Sequence, residues 1–414
     1  MTSDHTQIQT FCIGALTGLT LSYVYNQIKA SKKSRPSSSP SSSSNSSSKS
    51  SSGASVCAAY ARPNILTLQP YRCARDDYET GLLLDANENT LGPSLSSPDT
   101  QELERYPSPY QIPLKQKLSK IRNVKPENIF VGVGSDEAID MLYRIFCIPS
   151  VSNVITTPPT YGMYKVSAVT NDVQIKPVPL SPSYDLRVPE MLEAVDENTR
   201  IIWICSPGNP TSKCVKSSDV RKIASSFSGI VVLDEAYIDF AESGSLCHLL
   251  ETYPNIVVLQ TLSKAFGLAG IRCGFAISSK EIIELMNRVK APYNLNKLSS
   301  AVALDALNNY STLQKNIKLL IKERERVKSS LESRPYVVRV QQSDSNFLLF
   351  ELKRNAKLIY QVMADEYSVV TRYRGAEVHC GECVRVTVGK EEENEEFLKA
   401  LDGAWERVEG EKSL

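Results

Sequence analysis

The sequence predicts an α/β protein in which a mostly parallel sheet is covered by helices on both faces. Four short apolar runs carry this prediction, and each is continuous instead of alternating between apolar and polar residues. Strands that are buried on both faces have this pattern, whereas strands with one wet face alternate. The four predicted strands are Ile129–Val133, Ile201–Cys205, Gly229–Asp234 and Ile256–Gln260.

A helix is predicted directly after the first strand, because apolar residues recur there at helical spacing. Strands that alternate with helical stretches are typical of parallel sheets, in which a helix connects one strand to the next. The apolar positions are Ala138, Ile139, Met141, Leu142, Ile145 and Phe146.

The overall composition narrows the class of protein. With 414 residues, of which 42% are hydrophobic, the chain is long enough for a large α/β domain with a smaller companion. The net charge of +1 gives no indication of a nucleic-acid partner. Ten cysteines are scattered without a regular framework, which favours a reduced, intracellular compartment and indicates no metal site.

The N-terminal segment differs from the rest. Residues 6–28 contain no charged residue, and a cluster of lysines and one arginine follows them. A membrane-spanning helix needs about 20 residues, so residues 1–36 could form an anchor whose basic flank keeps the remaining chain in the cytoplasm. The alternative is a targeting leader that is cleaved inside an organelle, because the following stretch is serine-rich and basic. Both interpretations remain open at this point.

The remaining boundaries follow from composition. Residues 37–52 contain 13 serines, too little apolar surface to offset chain entropy, so a disordered linker is predicted. The predicted regions are a linker at 37–59, an N-terminal arm at 60–100, a large domain at 101–300 and a small C-terminal α+β domain at 301–414.

Polar and glycine residues follow each of the four predicted strands. Gly132 and Gly134 end the first strand, and the helix that follows offers free N–H groups to an anion. Asn209 comes after the second strand, Asp234 ends the third, and Lys264 follows the fourth. Parallel sheets bind ligands at the carboxyl ends of their strands, so these residues are expected to converge.

Lys264 lies beside Ala265, Phe266 and Leu268. Apolar surroundings lower the pKa of an amine and favour a lysine that acts as a nucleophile. A carboxylate such as Asp234 at the end of a buried strand is costly to desolvate unless it meets a cation. Each feature alone also fits an ordinary loop lysine or an ordinary turn. One cofactor explains them together.

These motifs resemble the fold-type-I pyridoxal-phosphate-dependent aminotransferases, which carry similar runs in the same order. The runs here are Ser206–Thr211, Asp234–Tyr237 and Ser263–Arg272. Additional motifs narrow the resemblance to the histidinol-phosphate aminotransferase family, in its fungal branch, over residues 60–410. These are Leu68–Arg75, Leu84–Asn89, Arg105–Pro107, Pro158–Tyr161 and Val384–Gly389.

The resemblance implies roles around the ring of pyridoxal 5'-phosphate. Lys264 would bind the cofactor covalently and then carry a proton between substrate and cofactor. Asp234 would keep the pyridine nitrogen protonated. Tyr237 and Asn209 would form hydrogen bonds with the phenolic oxygen, and Tyr161 would stack on the ring.

The resemblance also implies two anion sites. The cofactor phosphate would bind the backbone of Ser135 and Asp136, the side chains of Ser263 and Arg272, and Tyr106 from the other subunit of a homodimer. The implied substrate contacts are Tyr71, Arg372 and Arg385, and whether Arg372 or Arg374 faces the substrate is left open.

The implied reaction is transamination of histidinol phosphate with 2-oxoglutarate, which gives imidazole-acetol phosphate and glutamate in histidine biosynthesis. Two rival functions are considered. One is a pyridoxal-phosphate-dependent decarboxylase of a phosphorylated amino acid, which would share the scaffold. The other is a catalytically silent, membrane-tethered scaffold, which is disfavoured because no position of the cofactor motifs is substituted.

Overall fold

The computed structural model describes residues 55–78, 80–97 and 101–410. Within these ranges no helix is both long and apolar enough to cross a membrane. The uncharged segment 6–28 and most of the serine-rich linker at 37–59 lie outside the described residues, so the predicted anchor or leader does too.

The larger sheet has seven strands. These are β1 (Ile129–Val133), β2 (Asn153–Thr156), β3 (Gln174–Pro177), β4 (Thr199–Cys205), β5 (Ile230–Asp234), β6 (Ile256–Thr261) and β7 (Cys273–Ser278). Their spatial order is β1-β7-β6-β5-β4-β2-β3. Only β7 pairs antiparallel with its neighbours, and the others run in one direction. The prediction of a mostly parallel sheet is confirmed.

Helices cover both faces of this sheet. Successive residues of a strand point to opposite faces. Trp203 belongs to the core on one face, together with the helix Gly134–Phe146. Its neighbour Ile202 belongs to the core on the other face, together with the helix Ser217–Ser226. The predicted helix after β1 is therefore present, and its apolar side packs on the sheet.

The described helices are listed here in chain order. They are Val56–Tyr60, Pro63–Leu66, Ile112–Arg122, Gly134–Phe146, Met163–Thr170, Val188–Glu193, Ser217–Ser226, Lys280–Val289, Lys297–Asn308, Tyr310–Glu332, Ala356–Tyr367 and Glu391–Gly410. The first of them starts before Tyr60, inside the stretch assigned to the linker, because Cys57, Ala61 and Ile65 pack into the core.

The smaller sheet has four strands. These are β8 (Val337–Val340), β9 (Phe347–Leu352), β10 (Arg372–Tyr373) and β11 (Cys383–Thr387). The order is β10-β11-β9-β8, and every pair is antiparallel. The helices Ala356–Tyr367 and Glu391–Gly410 pack on one face of it. The prediction of a second, smaller α+β part of the fold is confirmed.

Candidate active site

The strands β1, β4, β5 and β6 run in the same direction, and a cavity of about 270 Å³ lies at their carboxyl ends. Residues that the sequence places after those strands line it, as the rule for parallel sheets predicts. Ten of the predicted site residues do so: Ser135, Asp136, Tyr161, Asn209, Asp234, Tyr237, Ser263, Lys264, Arg272 and Arg385.

Asp234 forms the floor of the cavity. It ends β5 and is only 3% exposed. Tyr164 donates a hydrogen bond of 2.6 Å to its Oδ2 atom, and the backbone N–H of Ala236 donates one of 3.2 Å to Oδ1. Burial raises the pKa of the carboxyl group to about 6, while both hydrogen bonds oppose that shift. Above that pH the floor therefore carries a negative charge.

Lys264 is half-buried, and its Nζ lies 5.4 Å from the centre of the Tyr237 ring. Burial, followed by the nearby Arg385 guanidinium, lowers the pKa of the amine. Asp136 and Asp234 act in the opposite direction, but their effect is smaller. A lowered pKa increases the fraction of neutral amine, which is the form that attacks a carbonyl or accepts a proton.

One end of the cavity can hold an anion. It is formed by Gly134, Ser135 and Asp136, the first residues of the helix after β1, whose N–H groups have no partner inside the helix. The Arg272 guanidinium lies 3.0 Å from the Asp136 carboxylate and donates to Ser263 at 3.4 Å. The Tyr161 hydroxyl also donates to Asp136, at 3.1 Å.

This end requires glycine at two positions. Gly134 has a φ of +72°, and a Cβ there would lie 2.6 Å from the Arg272 guanidinium. A Cβ on Gly274 in β7 would lie 2.3 Å from the backbone nitrogen of Ser135. Side chains at these positions would displace the backbone N–H groups and the guanidinium that surround the anion site.

Arg385 lies on the opposite side of the cavity, in β11 of the smaller sheet. It donates a hydrogen bond of 2.5 Å to the Oδ1 atom of Asn209, and its guanidinium lies 5.1 Å from the centre of the Phe347 ring. Burial lowers its pKa, although a guanidinium keeps its proton at any ordinary pH. The Arg385–Asn209 hydrogen bond links the smaller sheet to the loop that follows β4 at the carboxyl ends of the larger sheet's parallel strands.

Arg372 and Arg374 have different surroundings. Arg372 lies directly opposite Arg385 in the β10–β11 pair, so both side chains project from the same face. Among the described residues, none forms a hydrogen bond or ion pair with the Arg372 guanidinium. Arg374 instead forms an ion pair with Glu377, at 2.5 Å. Arg372 is therefore the one available to an external anion.

Three predicted site residues do not line the cavity. Tyr71 and Tyr106 belong to the N-terminal arm and are 65% and 50% exposed. The Tyr106 ring stacks on Tyr293 at 4.5 Å, outside the cavity. The third is Arg372, at the surface of the smaller sheet. A single chain therefore does not bring these residues into contact with the floor.

Four residues of the site were not predicted from the sequence. Cys205, Ala236 and Thr261 line the cavity, and Tyr164 lies beneath it. Cys205 and Thr261 are the last residues of β4 and β6, so their position at strand ends would have identified them. Tyr164 has no such signal, because 70 residues separate it from Asp234.

Comparison with known proteins identifies the family. The model of aminotransferase classes I and II matches residues 79–401. The chain is 43% identical to a histidinol-phosphate aminotransferase of Candida maltosa, over 82% of this chain and 96% of that protein. It is 45% identical to one of Cytophaga hutchinsonii, over 82% and 97%. The chain belongs to the histidinol-phosphate aminotransferase family.

A solved structure of this family has the same fold. The histidinol-phosphate aminotransferase of Sinorhizobium meliloti, in complex with pyridoxal-5'-phosphate, superimposes with a TM-score of 0.69. The match covers 78% of this chain and 90% of that one, at 22% sequence identity. Since identity is low, this likeness shows the fold alone.

The residues of the cavity fit pyridoxal phosphate, the cofactor that the sequence predicts. The helix start with Arg272 suits a phosphate group, and the buried carboxylate of Asp234 suits a protonated ring nitrogen. The amine of Lys264 lines the same cavity and suits the cofactor's carbonyl group. The absence of a Cβ at Gly134 and Gly274 lets the Arg272 guanidinium and the Ser135 backbone N–H keep their places at the anion end.

Proposed function

We propose that the chain transfers an amino group between histidinol phosphate and 2-oxoglutarate, with pyridoxal phosphate as cofactor. The products are imidazole-acetol phosphate and glutamate, in the biosynthesis of histidine. One observation carries the proposal: in a chain of this family, a single cavity brings together the Lys264 amine, the Asp234 carboxylate and the Arg385 guanidinium.

Each residue has a defined task in this proposal. Bound pyridoxal phosphate supplies an electron sink for the electron pair that remains when a substrate Cα loses its proton. Lys264 Nζ accepts that proton from the substrate Cα and passes it to the cofactor. Asp234 holds the proton on the ring nitrogen, and the hydroxyl of Tyr237 and the amide of Asn209 donate to the phenolic oxygen. Tyr161 packs on the ring face.

The cofactor phosphate is assigned to the anion end of the cavity. The backbone N–H groups of Ser135 and Asp136, the Ser263 hydroxyl and the Arg272 guanidinium would hold it. In the structure the Asp136 carboxylate already accepts a hydrogen bond from Arg272, so this guanidinium is oriented by a neighbour.

The substrate phosphate is assigned to Arg372 and Arg385. Two like charges directly opposite each other in a sheet are destabilising unless an anion lies between them. A guanidinium offers two parallel donors, which match a phosphate monoester and a carboxylate equally well. Histidinol phosphate has no α-carboxylate but glutamate has one, so the same pair can serve both substrates. Arg374, which is paired with Glu377, is not assigned to the substrate.

We also propose a homodimer in which the arm completes the site of the partner subunit. Of the 23 large apolar side chains exposed among the described residues, ten lie between residues 68 and 112. Such a concentration on one segment indicates a surface that another chain covers. Tyr71 and Tyr106 belong to it, which explains why they lie outside the cavity of their own chain.

The dimer can be tested by mixing two inactive variants, Lys264→Ala and Tyr106→Ala. If Tyr106 acts across the interface, the mixed dimer contains one intact site. Random exchange of subunits should then restore about a quarter of normal activity, because half of the dimers are mixed and each has one working site. Absence of any recovery after subunit exchange would show that Tyr106 acts within its own chain.

For the N-terminal segment we propose a membrane anchor at residues 6–28, with the catalytic part in the cytoplasm. Its support is the uncharged stretch and the basic cluster behind it. Fractionation of cells tests it: full-length chain with Met1 retained should sediment with membranes. A mature form that starts near Tyr60 inside an organelle would favour the leader instead.

Product analysis tests the proposed reaction. Purified protein with histidinol phosphate and 2-oxoglutarate should form glutamate and imidazole-acetol phosphate in equal amounts. A phosphorylated amino acid in the same assay should release no carbon dioxide. Carbon dioxide release without glutamate formation would show a decarboxylase, and neither product would show a protein without this catalytic activity.

A further inference from the structure

Tyr164 lies beneath the floor of the cavity, and its surroundings fix it in one position. The residue is fully buried, its ring stacks on Trp203 with 4.8 Å between ring centres, and Trp203 stacks in turn on Tyr143. The Tyr143 hydroxyl donates to the backbone carbonyl of Tyr164 at 2.7 Å. A ring held between such contacts has no freedom to rotate its hydroxyl away from Asp234.

The Asp234 carboxylate, which lies above Tyr164, must meet two conditions to act on the cofactor. To hold a proton on a ring nitrogen, Asp234 must be ionised and must point into the cavity. Complete burial opposes ionisation, because a desolvated carboxylate costs free energy unless hydrogen bonds compensate for the lost water. Ala236 supplies one such bond from the backbone, at 3.2 Å. The bond from Tyr164 is shorter, at 2.6 Å, and comes from a side chain.

We propose that Tyr164 is a positioning residue that keeps Asp234 ionised and aimed at the cofactor's ring nitrogen. The inference rests on the proposed function, because it gives Asp234 the task of holding that nitrogen's proton. The Tyr164 hydroxyl binds Oδ2 from below, so the lone pairs on the upper side of the carboxylate remain available to the cavity.

Tyr164 always donates in this bond. Burial, and then the negative charge of Asp234, raise the pKa of its phenol far above the usual value, so it keeps its proton throughout the working range. Tyr164 also touches the residue assigned to the ring face, since its ring meets Tyr161 edge-on at 5.7 Å. One buried side chain thus orients two groups that contact the cofactor.

The test is Tyr164→Phe, which keeps the ring and its stacking but removes the donor. Titration of the cofactor-free variant with pyridoxal phosphate should show an affinity at least about tenfold below that of the unmodified protein. The low-pH limit of binding should also move upward by about one pH unit, because a bond that favours the ionised carboxylate is gone. The titratable groups that face Asp234 are Asp136, Tyr161, Tyr164, Cys205, Tyr237 and Lys264.

Tyr143→Phe is the matched control, since it removes a buried hydroxyl of the same stack that does not contact Asp234. It should leave both the affinity and the pH limit unchanged, because the ring contacts with Trp203 and Tyr161 still hold Tyr164 and the Asp234 carboxylate keeps its donor. In an Asp234→Asn background, Tyr164→Phe should have little additional effect on cofactor affinity. This second comparison separates the loss of the hydrogen bond to Asp234 from a general loss of packing, which would lower the affinity in both backgrounds.

Three results would overturn the inference: unchanged affinity and pH limit in Tyr164→Phe, an equal loss in Tyr143→Phe, or full additivity with Asp234→Asn. Each of these would assign Tyr164 to the packing of the core alone. Failure of the proposed function would look different, because the unmodified protein itself would then either not bind pyridoxal phosphate or bind it without forming glutamate from 2-oxoglutarate.

Discussion

The floor and the rim of the cavity are built in different ways. The floor consists of side chains at strand ends, such as Asp234 and Asn209, which are 3% and 8% exposed and bonded to neighbours. The rim is the group of predicted site residues that are exposed and lie outside the cavity of this chain, namely Tyr71, Tyr106 and Arg372. Floor residues are fixed by the core of one chain, whereas rim residues have free surfaces that a substrate or a second chain can contact.

This difference indicates a division of labour. Side chains locked into a core are suited to chemistry that depends on exact position and on charge in a dry environment. Exposed side chains on short elements suit binding, because they can adapt to a phosphate, a carboxylate or a partner subunit. Substitutions on the floor should therefore affect turnover, and substitutions on the rim should affect affinity.

The largest effect is expected at Lys264. Replacing it with alanine removes both the covalent attachment and the proton carrier, so turnover should fall by at least about a thousandfold. The melting temperature should change little, because the side chain forms no ion pair with any residue that the structure describes. Steady-state assays would be compared with those of Lys216→Ala, an exposed lysine. Near-normal turnover in Lys264→Ala would remove the residue from the chemistry.

Arg385 connects floor and rim, and its loss should weaken both half-reactions. Replacement with glutamine should cost about 2–5 kcal/mol in kcat/KM for histidinol phosphate and for glutamate. Arg385→Lys should rescue only part, because a point charge replaces two parallel donors. The contrary result is a sharp drop in melting temperature with normal affinity for both substrates. Arg385 would then be a structural residue that binds Asn209.

Arg372 and Arg374 offer a matched pair on the rim. Arg372→Gln should raise the KM for histidinol phosphate by about tenfold or more, because a charged hydrogen bond to phosphate is lost. Arg374→Gln should change KM less and lower the melting temperature more, because it leaves the half-buried Glu377 without its partner. Steady-state kinetics and thermal unfolding of both variants measure these differences. A larger KM increase in Arg374→Gln than in Arg372→Gln would assign the substrate contact to Arg374.

The smallest effect is expected in the arm. Glu88 binds Arg75, Arg105 and the backbone N–H of Tyr106, and these contacts, with Arg75 foremost, lower its pKa from 4.5 to about 2. A depressed pKa contributes stability above pH 4.5, and that contribution is lost as the pH falls towards 2.

Glu88→Gln should therefore lower the free energy of unfolding by about 1–2 kcal/mol at pH 7, allowing for solvent screening, and by much less near pH 2. Denaturant unfolding at several pH values measures this difference. Glu104→Gln is the control, because its carboxylate lies 3.9 Å from Arg105 and should contribute less. A loss that does not vary with pH would mean that the charge of Glu88 is unimportant.

The floor was more predictable than the rim. Lys264, Asp234 and Asn209 follow continuous apolar runs, and strand direction alone brings them to one edge. β7 was not predicted, because it is antiparallel and follows directly on the glycine-containing segment that carries Lys264. Tyr164 was missed because its bond to Asp234 depends on the packing of the helix Met163–Thr170 and not on sequence pattern.

The rim depended on the family resemblance. Nothing in composition or periodicity distinguishes Tyr71 and Tyr106 from other exposed tyrosines, and both lie outside the cavity of their own chain. The preference for Arg372 over Arg374 is a proposal, and its support is the ion pair of Arg374 with Glu377, which only the structure shows. Residues that contact another molecule instead of their own chain's core produce no periodic pattern in the sequence.

A single-turnover experiment shows whether histidinol phosphate donates its amino group to the bound cofactor. The protein, loaded with pyridoxal phosphate and free of 2-oxoglutarate, is mixed with excess histidinol phosphate while the absorbance of the cofactor is recorded. We expect one change in the spectrum, formation of one equivalent of imidazole-acetol phosphate per site, and return of the original spectrum when 2-oxoglutarate is added. A spectrum that responds to glutamate but not to histidinol phosphate would contradict the proposed substrate.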